Sequence, residues 1–396
     1  MKRRGILGIL LALLSLSLTW HTGTSPVLGA RAQPGTAFAP QSALVQSISG
    51  GWIITDFSQY EGLYTSIAVD SNGLVHISHV NNGDLMYTRQ YRVGDGVWWA
   101  TTMVVAADNI QDTSLTLDEN DRPYITYYNP ATANLCWAWS PTDGVWNTDT
   151  RNTPGVADGA DSSAVMRGGV LHVTYRVLAP NNVEYIEIIP GGGWPPTPQT
   201  VGGSIAPYSG LSLALRSDGL PRISYATDSG RLMYARYNGS AWTLEEVDGG
   251  PEHQMGHVSL ALTADNRPRI AYVDRTNRDL RYVAYLLIGW GVPTVVDDTL
   301  GDGNYSYFVS LAVDAAGNSH IAYYDDYGDD VLRYARNYSG SSWSFETVDW
   351  PAIACGTASA LALDSLGRPH VSYWRGHLRY AYRAFTVYLP AIMRGQ

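Results

Sequence analysis

The sequence predicts an all-β fold, a seven-bladed β-propeller with four-stranded antiparallel blades. Three observations predict it. The phrase Ser66-Ile67-Ala68-Val69-Asp70 recurs along the chain. Residues that suit turns and rings that suit a core follow it at fixed offsets. The strand missing from the last unit stands at the head of the first.

The phrase returns as Ser114-Leu115-Thr116-Leu117, Ser162-Ser163-Ala164-Val165, Ser212-Leu213-Ala214-Leu215, Ser259-Leu260-Ala261-Leu262, Ser310-Leu311-Ala312-Val313 and Ala360-Leu361-Ala362-Leu363. These starts lie 48, 48, 50, 47, 51 and 50 residues apart. Seven residues after each start comes Gly73, Asp121, Gly169, Gly219, Asn266, Gly317 or Gly367, all types that tolerate the left-handed backbone of a tight hairpin. Thirteen after each start comes a ring: His79, Tyr127, Tyr175, Tyr225, Tyr272, Tyr323 or Tyr373.

Each unit therefore reads as four short strands. The phrase is the first, placed nearest the axis because its small residues suit a narrow space. The second often opens on proline (Pro123, Pro221, Pro268, Pro369), where a lost donor costs least. Leu332-Arg333-Tyr334-Ala335 typifies the third. The fourth carries Trp98, Trp146, Trp194, Trp242, Trp290 or Trp343. The seventh unit lacks that strand, and Trp52-Ile53-Ile54-Thr55-Asp56-Phe57 resembles it. The leading segment is expected to complete the last sheet and close the ring, covering two open edges.

Composition narrows the function. Lys2, Arg3 and Arg4, the apolar run from Gly5 to Leu18 and Ala30-Arg31-Ala32 read as an export signal over residues 1–32. Residues 33–50 read as a flexible lead, 51–384 as the propeller and 385–396 as a tail or extra strand. After cleavage 22 basic residues face 36 acidic ones, a net charge of −14, with no arginine cluster. That disfavours nucleic acid and anionic lipid as partners, and no further segment could span a membrane. The expected product is a secreted or cell-surface monomer. Cys136 and Cys355 fall in non-adjacent units and read as unpaired thiols.

The blades carry neither a closing Trp-Asp, a kelch Gly-Gly, a sialidase Asp-box nor a calcium loop of the integrin type. Asp364-Ser-Leu-Gly-Arg-Pro-His-Val-Ser-Tyr373 and Leu378-Arg-Tyr-Ala381 resemble exported bacterial sialidase-like (BNR-like) propellers. The resemblance covers about residues 52–383. It implies the fold, and a group that mixes polysaccharide-active enzymes with other surface proteins. The residues shared are structural, so no catalytic position carries over.

Candidate function lies where the repeat departs from itself. His76, His172, His320 and His370 recur once per blade and read as packed, hydrogen-bonded side chains rather than metal ligands. The loops before the first strands and those between second and third strands share one face. They contribute Tyr64, Asn81, Asp112, Asn129, Asp161, Tyr208, His257, Asp274, Tyr307, Asp325 and Arg375 as candidate ligand-binding residues. Tyrosine stacks on sugar faces, and carboxylates and amides bind hydroxyls. The leading expectation is a non-catalytic module for carbohydrate or an extracellular protein. The alternative is a hydrolase or lyase using Asp112, Asp161, His257 and Tyr307 on the same face, and the third option is a structural surface protein. Asp325, Asp326, Asp329 and Asp330 lack the spacing of a calcium loop and read as a solvated turn, with Ca²⁺ as the weaker alternative, so no cofactor is expected.

Overall fold

A computed structural model describes residues 46–383 apart from 50, 95, 108, 152–155, 193–196, 207–208, 302–307, 327–329, 339–341 and 351–357, with backbone alone at 46–49. The described residues form seven antiparallel sheets, six of them four-stranded. Trp52–Phe57 pairs with Leu378–Arg383, Trp52 opposite Arg383 and Phe57 opposite Leu378, and so completes the last blade. The lead expected over 33–50 is corrected in part. Gln46–Ser49 adds a fifth strand to that sheet, outside Trp52–Phe57. Among the described residues no helix is long and apolar enough to cross a membrane. The signal and tail segments lie outside the described residues.

The serine of the repeated phrase has a role that small size alone does not explain. Its hydroxyl oxygen accepts a hydrogen bond from the backbone of the next blade's first strand. Leu115 N donates to Ser66 Oγ at 3.0 Å, Leu260 N to Ser212 Oγ at 2.8 Å and Leu361 N to Ser310 Oγ at 3.0 Å. These first strands surround the axis and would otherwise leave donors unpaired. The seventh phrase has Ala360 instead. At that seam Thr65 Oγ1 donates to Ser372 Oγ at 2.8 Å.

The same bonds correct the third repeat. Ala164 N donates to Ser114 Oγ and Leu213 N to Ser163 Oγ, so the phrase begins at Ser163 rather than Ser162. Arg167 pairs with Val170 across Gly168-Gly169, a hairpin one residue shorter than that of the first blade. Shortening the turn moves the first strand and leaves Tyr175 in register with His79.

Blades pack through aromatic rings. Four tryptophans of the fourth-strand series meet a tyrosine on the third strand of the preceding blade, edge to face: Trp146 on Tyr87 at 5.0 Å, Trp242 on Tyr185 at 5.4 Å, Trp290 on Tyr234 at 5.1 Å and Trp343 on Tyr282 at 5.1 Å. Across the closure, Trp52 meets Tyr334 at 5.2 Å. In the first blade the residue in this role is Trp99, 5.2 Å from Tyr380, and not Trp98 as the spacing suggested. Neighbours on a strand face opposite ways, and only Trp99, opposite Gln90, turns to the adjoining blade. Trp194 lies outside the described residues.

The recurrent histidines support those tyrosines. His76, His172, His320 and His370 each place Nδ1 2.5–2.6 Å from the hydroxyl of Tyr87, Tyr185, Tyr334 or Tyr380 in the same blade. Burial holds His172, His320 and His370 below the ordinary imidazole pKa. The second-strand tyrosines reach back instead: Tyr323 donates to Asp297 at 2.6 Å and Tyr373 to Asp349 at 2.9 Å, both on the preceding blade. Cys136 is a buried free thiol, and burial pushes it up to about 11. Cys355 lies outside the described residues.

Candidate functional site

With the third register corrected, one column of the repeat stands out. Two residues before each phrase come Tyr64, Asp112, Asp161, Gly210, His257, Phe308 and Ala358. All but Ala358 line one cavity of about 640 Å³, together with the phrase serines of adjoining first strands. Its volume is in the range of small-molecule sites.

Bulges shape four positions of this column. Pairing of first and second strands slips between Leu63 and Ser66, Gln111 and Ser114, Ala160 and Ser163, and Met255 and Val258. Tyr64, Asp112 and Asp161 sit in these bulges with φ of 49°, 55° and 53°. The left-handed region is costly for side-chain-bearing residues, and bulges recur where a fold re-aims a side chain.

The two aspartates come from adjoining blades. Asp161 N donates to Asp112 Oδ2 at 3.2 Å, and Arg176 Nη1 lies 3.5 Å from Asp161 Oδ2. Burial, then the Asp161 charge, pushes Asp112 up to about 7. Burial also raises Asp161, and Arg176 opposes that rise. The two carboxyls therefore titrate as a pair, and Arg176 stands on the Asp161 side of it. Burial raises the Tyr64 hydroxyl, and both aspartates add to the effect. Thr113 Oγ1 donates to the Tyr64 carbonyl at 2.6 Å and ties the first two bulges together.

His257 lies across the cavity column from these groups. Its ring is 5.0 Å from that of Phe308. Burial lowers it to about 4, so it is neutral at physiological pH. Its Nδ1 is buried without a partner among the described residues. Gly210 has φ of +63°, and a Cβ there would come 3.0 Å from His257 Nε2, so the imidazole occupies space that only glycine leaves.

The remaining candidates fall into two groups. Tyr208 and Tyr307 lie outside the described residues. Asn81, Asn129, Asp274 and Asp325 end second strands, Arg375 follows one, and none of the five lines the cavity. They tie down loops and neighbouring segments. Asn81 Oδ1 accepts from Glu61 N at 2.9 Å, and Asn129 Oδ1 from Ala131 N at 3.0 Å. Asp274 Oδ2 is 2.7 Å from His253 Nδ1, Asp325 is 2.6 Å from Arg333, and Arg375 is 3.4 Å from Asp349. Among the described residues, no three His, Cys, Asp or Glu side chains are grouped to hold a metal.

Arg176 and Phe308 were not among the sequence candidates. Arg176 had a signal: the residues one place past the second-strand rings are Val80, Tyr128, Arg176, Ala226, Val273, Tyr324 and Trp374, and Arg176 alone is charged. Phe308 is hidden by looking like core.

Gly159 connects fold and site. Its φ is +107°, and a Cβ would come 2.4 Å from the Leu135 backbone of the preceding blade. Gly159→Ala is expected to cost about 3 kcal/mol through strain and displacement, and to move Asp161. Urea denaturation checks this, and an unchanged midpoint would refute the close approach.

No family model and no curated protein matches the chain. Solved structures do. The chain is similar to a polysaccharide lyase, the PL25 ulvan lyase bound to -[GlcA(1-4)Rha3S]-, with a TM-score of 0.55, 13% identity, and 81% of this chain and 92% of that one covered. It is also similar to a triple-arginine mutant of AofleA from Arthrobotrys oligospora, with a TM-score of 0.51, 17% identity, and coverage of 75% and 89%. At these identities the likeness is one of fold. Neither structure is a sialidase, so the sialidase-like resemblance goes no further than the ring of blades.

Proposed function

We propose that the protein is a polysaccharide-active enzyme that takes a neutral glycan at the axial cavity, with Asp112 and Asp161 as its acid–base pair. The observation that carries this reading is the coupling of two carboxyls from adjoining blades, one of them raised to about 7, inside a cavity of about 640 Å³. Two carboxyls whose surroundings push them apart suit the two roles of glycoside hydrolysis. Asp112 retains a proton to give to a leaving oxygen. Asp161, beside Arg176, serves as the carboxylate. Tyr64 adds a neutral hydroxyl and a ring face. The fold's likeness to a polysaccharide lyase supports the ligand class. A uronate substrate fits less well, because two carboxyls face the one guanidinium, already paired, among the described lining residues.

The test is a panel of neutral and uronate polysaccharides. It is scored for reducing ends, for the ultraviolet absorbance of unsaturated products, and for binding. New reducing ends from a neutral glycan are expected, falling about 100-fold or more in Asp112→Asn. Unsaturated products from a uronate chain would replace hydrolysis with elimination. Saturable binding without turnover would leave a non-catalytic module and overturn the enzyme reading.

A further inference from the structure

The floor of the axial cavity is a ring of seven first-strand positions, and one of them differs. The phrase serines, from Ser66 to Ser310, line the cavity at six blade boundaries, and Ala360 lines it at the seventh. Each of the six hydroxyl oxygens accepts a backbone N–H of the following blade. Leu311 N donates to Ser259 Oγ at 2.9 Å, and the other five bonds measure 2.8 to 3.1 Å.

The donor at the seventh boundary is Ile67 N. Ile67 pairs with Ile77 as Leu115 pairs with Ile125, each after the same bulge, so the two N–H groups turn to the same side of their sheets. Leu115 N finds the Ser66 hydroxyl of blade one, whereas the corresponding side chain of blade seven is the Ala360 methyl, which accepts nothing. A backbone N–H left beside a wet cavity takes its bond from whatever oxygen the cavity holds. Ser359, next to Ala360 on the lining, is 7% exposed, and its Oγ has no partner among the described residues. One tier lower, below the lining, alanine is the rule and Thr116 the exception, its Oγ1 accepting from Met166 N at 3.0 Å. Capping by a hydroxyl is therefore a property of the floor, and Ala360 is its single gap.

We infer that an alcohol oxygen of the bound glycan takes the place of the serine hydroxyl missing at Ala360 and accepts the Ile67 N–H. This rests on the carbohydrate reading above and fixes where one sugar hydroxyl sits. The class of group follows from what the other six boundaries use. An aliphatic hydroxyl accepts the N–H and keeps a proton of its own to donate, which suits the unanswered Ser359 Oγ. A carboxylate would also accept, but it would share the cavity with Asp112 and Asp161. A group that only donates would leave Ile67 N unpaired. The gap opens at the edge of blade one, the blade that carries Tyr64.

The test compares Ala360→Ser with Ala362→Ser in the full chain. The first supplies the missing hydroxyl, and the second supplies one to the next tier, below the cavity lining. Calorimetry uses cellohexaose, mannohexaose, xylohexaose and the neutral polysaccharides of the panel above. Affinity is expected to fall about tenfold in Ala360→Ser, the upper worth of one neutral hydrogen bond, and to be unchanged in Ala362→Ser. Amide hydrogen exchange at Ile67, followed by NMR, is a second measurement that needs no variant. It should slow when glycan saturates the wild-type protein, and be slow without glycan in Ala360→Ser. Wild-type affinity in Ala360→Ser, or an Ile67 amide that saturating glycan leaves unchanged, would sink this inference. Binding still weakened by Asp112→Asn would in either case leave the carbohydrate site standing. Silence from every glycan would overturn the site and this inference together.

Discussion

Trp52→Ala is expected to destabilise the protein by about 3–5 kcal/mol, the usual cost of emptying a large buried aromatic site. Trp52 is fully buried, and its ring packs on Tyr334 of the sixth blade. Its Nε1 donates to Glu346 Oε2 at 3.0 Å, and Arg383 Nε, on the strand opposite, reaches the same oxygen at 2.7 Å. One substitution therefore removes core volume, an aromatic pair and a partner of Glu346 at the place where the two ends of the propeller are joined. Trp98→Ala is the control. Trp98 is half-buried on the other side of its strand, and its loss should cost about 1 kcal/mol or less. Urea midpoints read by circular dichroism distinguish them, and size-exclusion chromatography should show Trp52→Ala associating through the loosened edge. Equal midpoints for the two variants would show that closure contributes little.

Asp112→Asn is expected to remove turnover and, above neutral pH, to raise stability. An aspartate in the unfolded chain ionises near 3.8, and in the folded protein Asp112 is held at about 7. Between those values the unfolded state has lost a proton that the folded state keeps. Wild-type stability contributed by this group is thus complete below about pH 4 and falls away as pH rises through about 7. Asparagine has no proton to lose. The variant should match wild type near pH 4 and exceed it by up to about 4 kcal/mol near pH 8. Asp161→Asn should remove part of the same penalty by deleting the charge beside Asp112. A variant no more stable than wild type at pH 8 would mean that the pair relaxes onto water. The combination of lost activity with gained stability is what a strained functional site produces, and a structural aspartate would give the opposite sign.

The architecture was legible because a propeller repeats its physics. Turn residues, rings and small axial residues recur at each blade, and Trp52 stood out as a strand without a sheet. Errors arose where one residue was added or lost. The Gly168-Gly169 hairpin shifts Ser163 against Ser162, and side-by-side tryptophans at 98 and 99 differ only in which way the strand turns them. The site was legible in part. Tyr64, Asp112, Asp161 and His257 were visible as departures from the repeat, and the corrected register places them in one column. Asn81, Asn129, Asp274, Asp325 and Arg375 had the composition of a site, yet polar residues at strand ends are equally what loops need to satisfy their own backbones. Arg176 required comparing columns across blades. Phe308 was hidden because a phenylalanine has the composition of a core, and only the closed ring shows it lining a cavity.

Carbon-detected NMR of the aspartate carboxyls, titrated from about pH 3 to about pH 9, tests the paired titration on which the functional reading depends. Asp112 is predicted to titrate with a midpoint near 7, falling markedly in Asp161→Asn and shifting when a bound neutral glycan occupies the cavity. An Asp112 carboxyl that is fully ionised by about pH 5, indifferent to Asp161, would contradict the account.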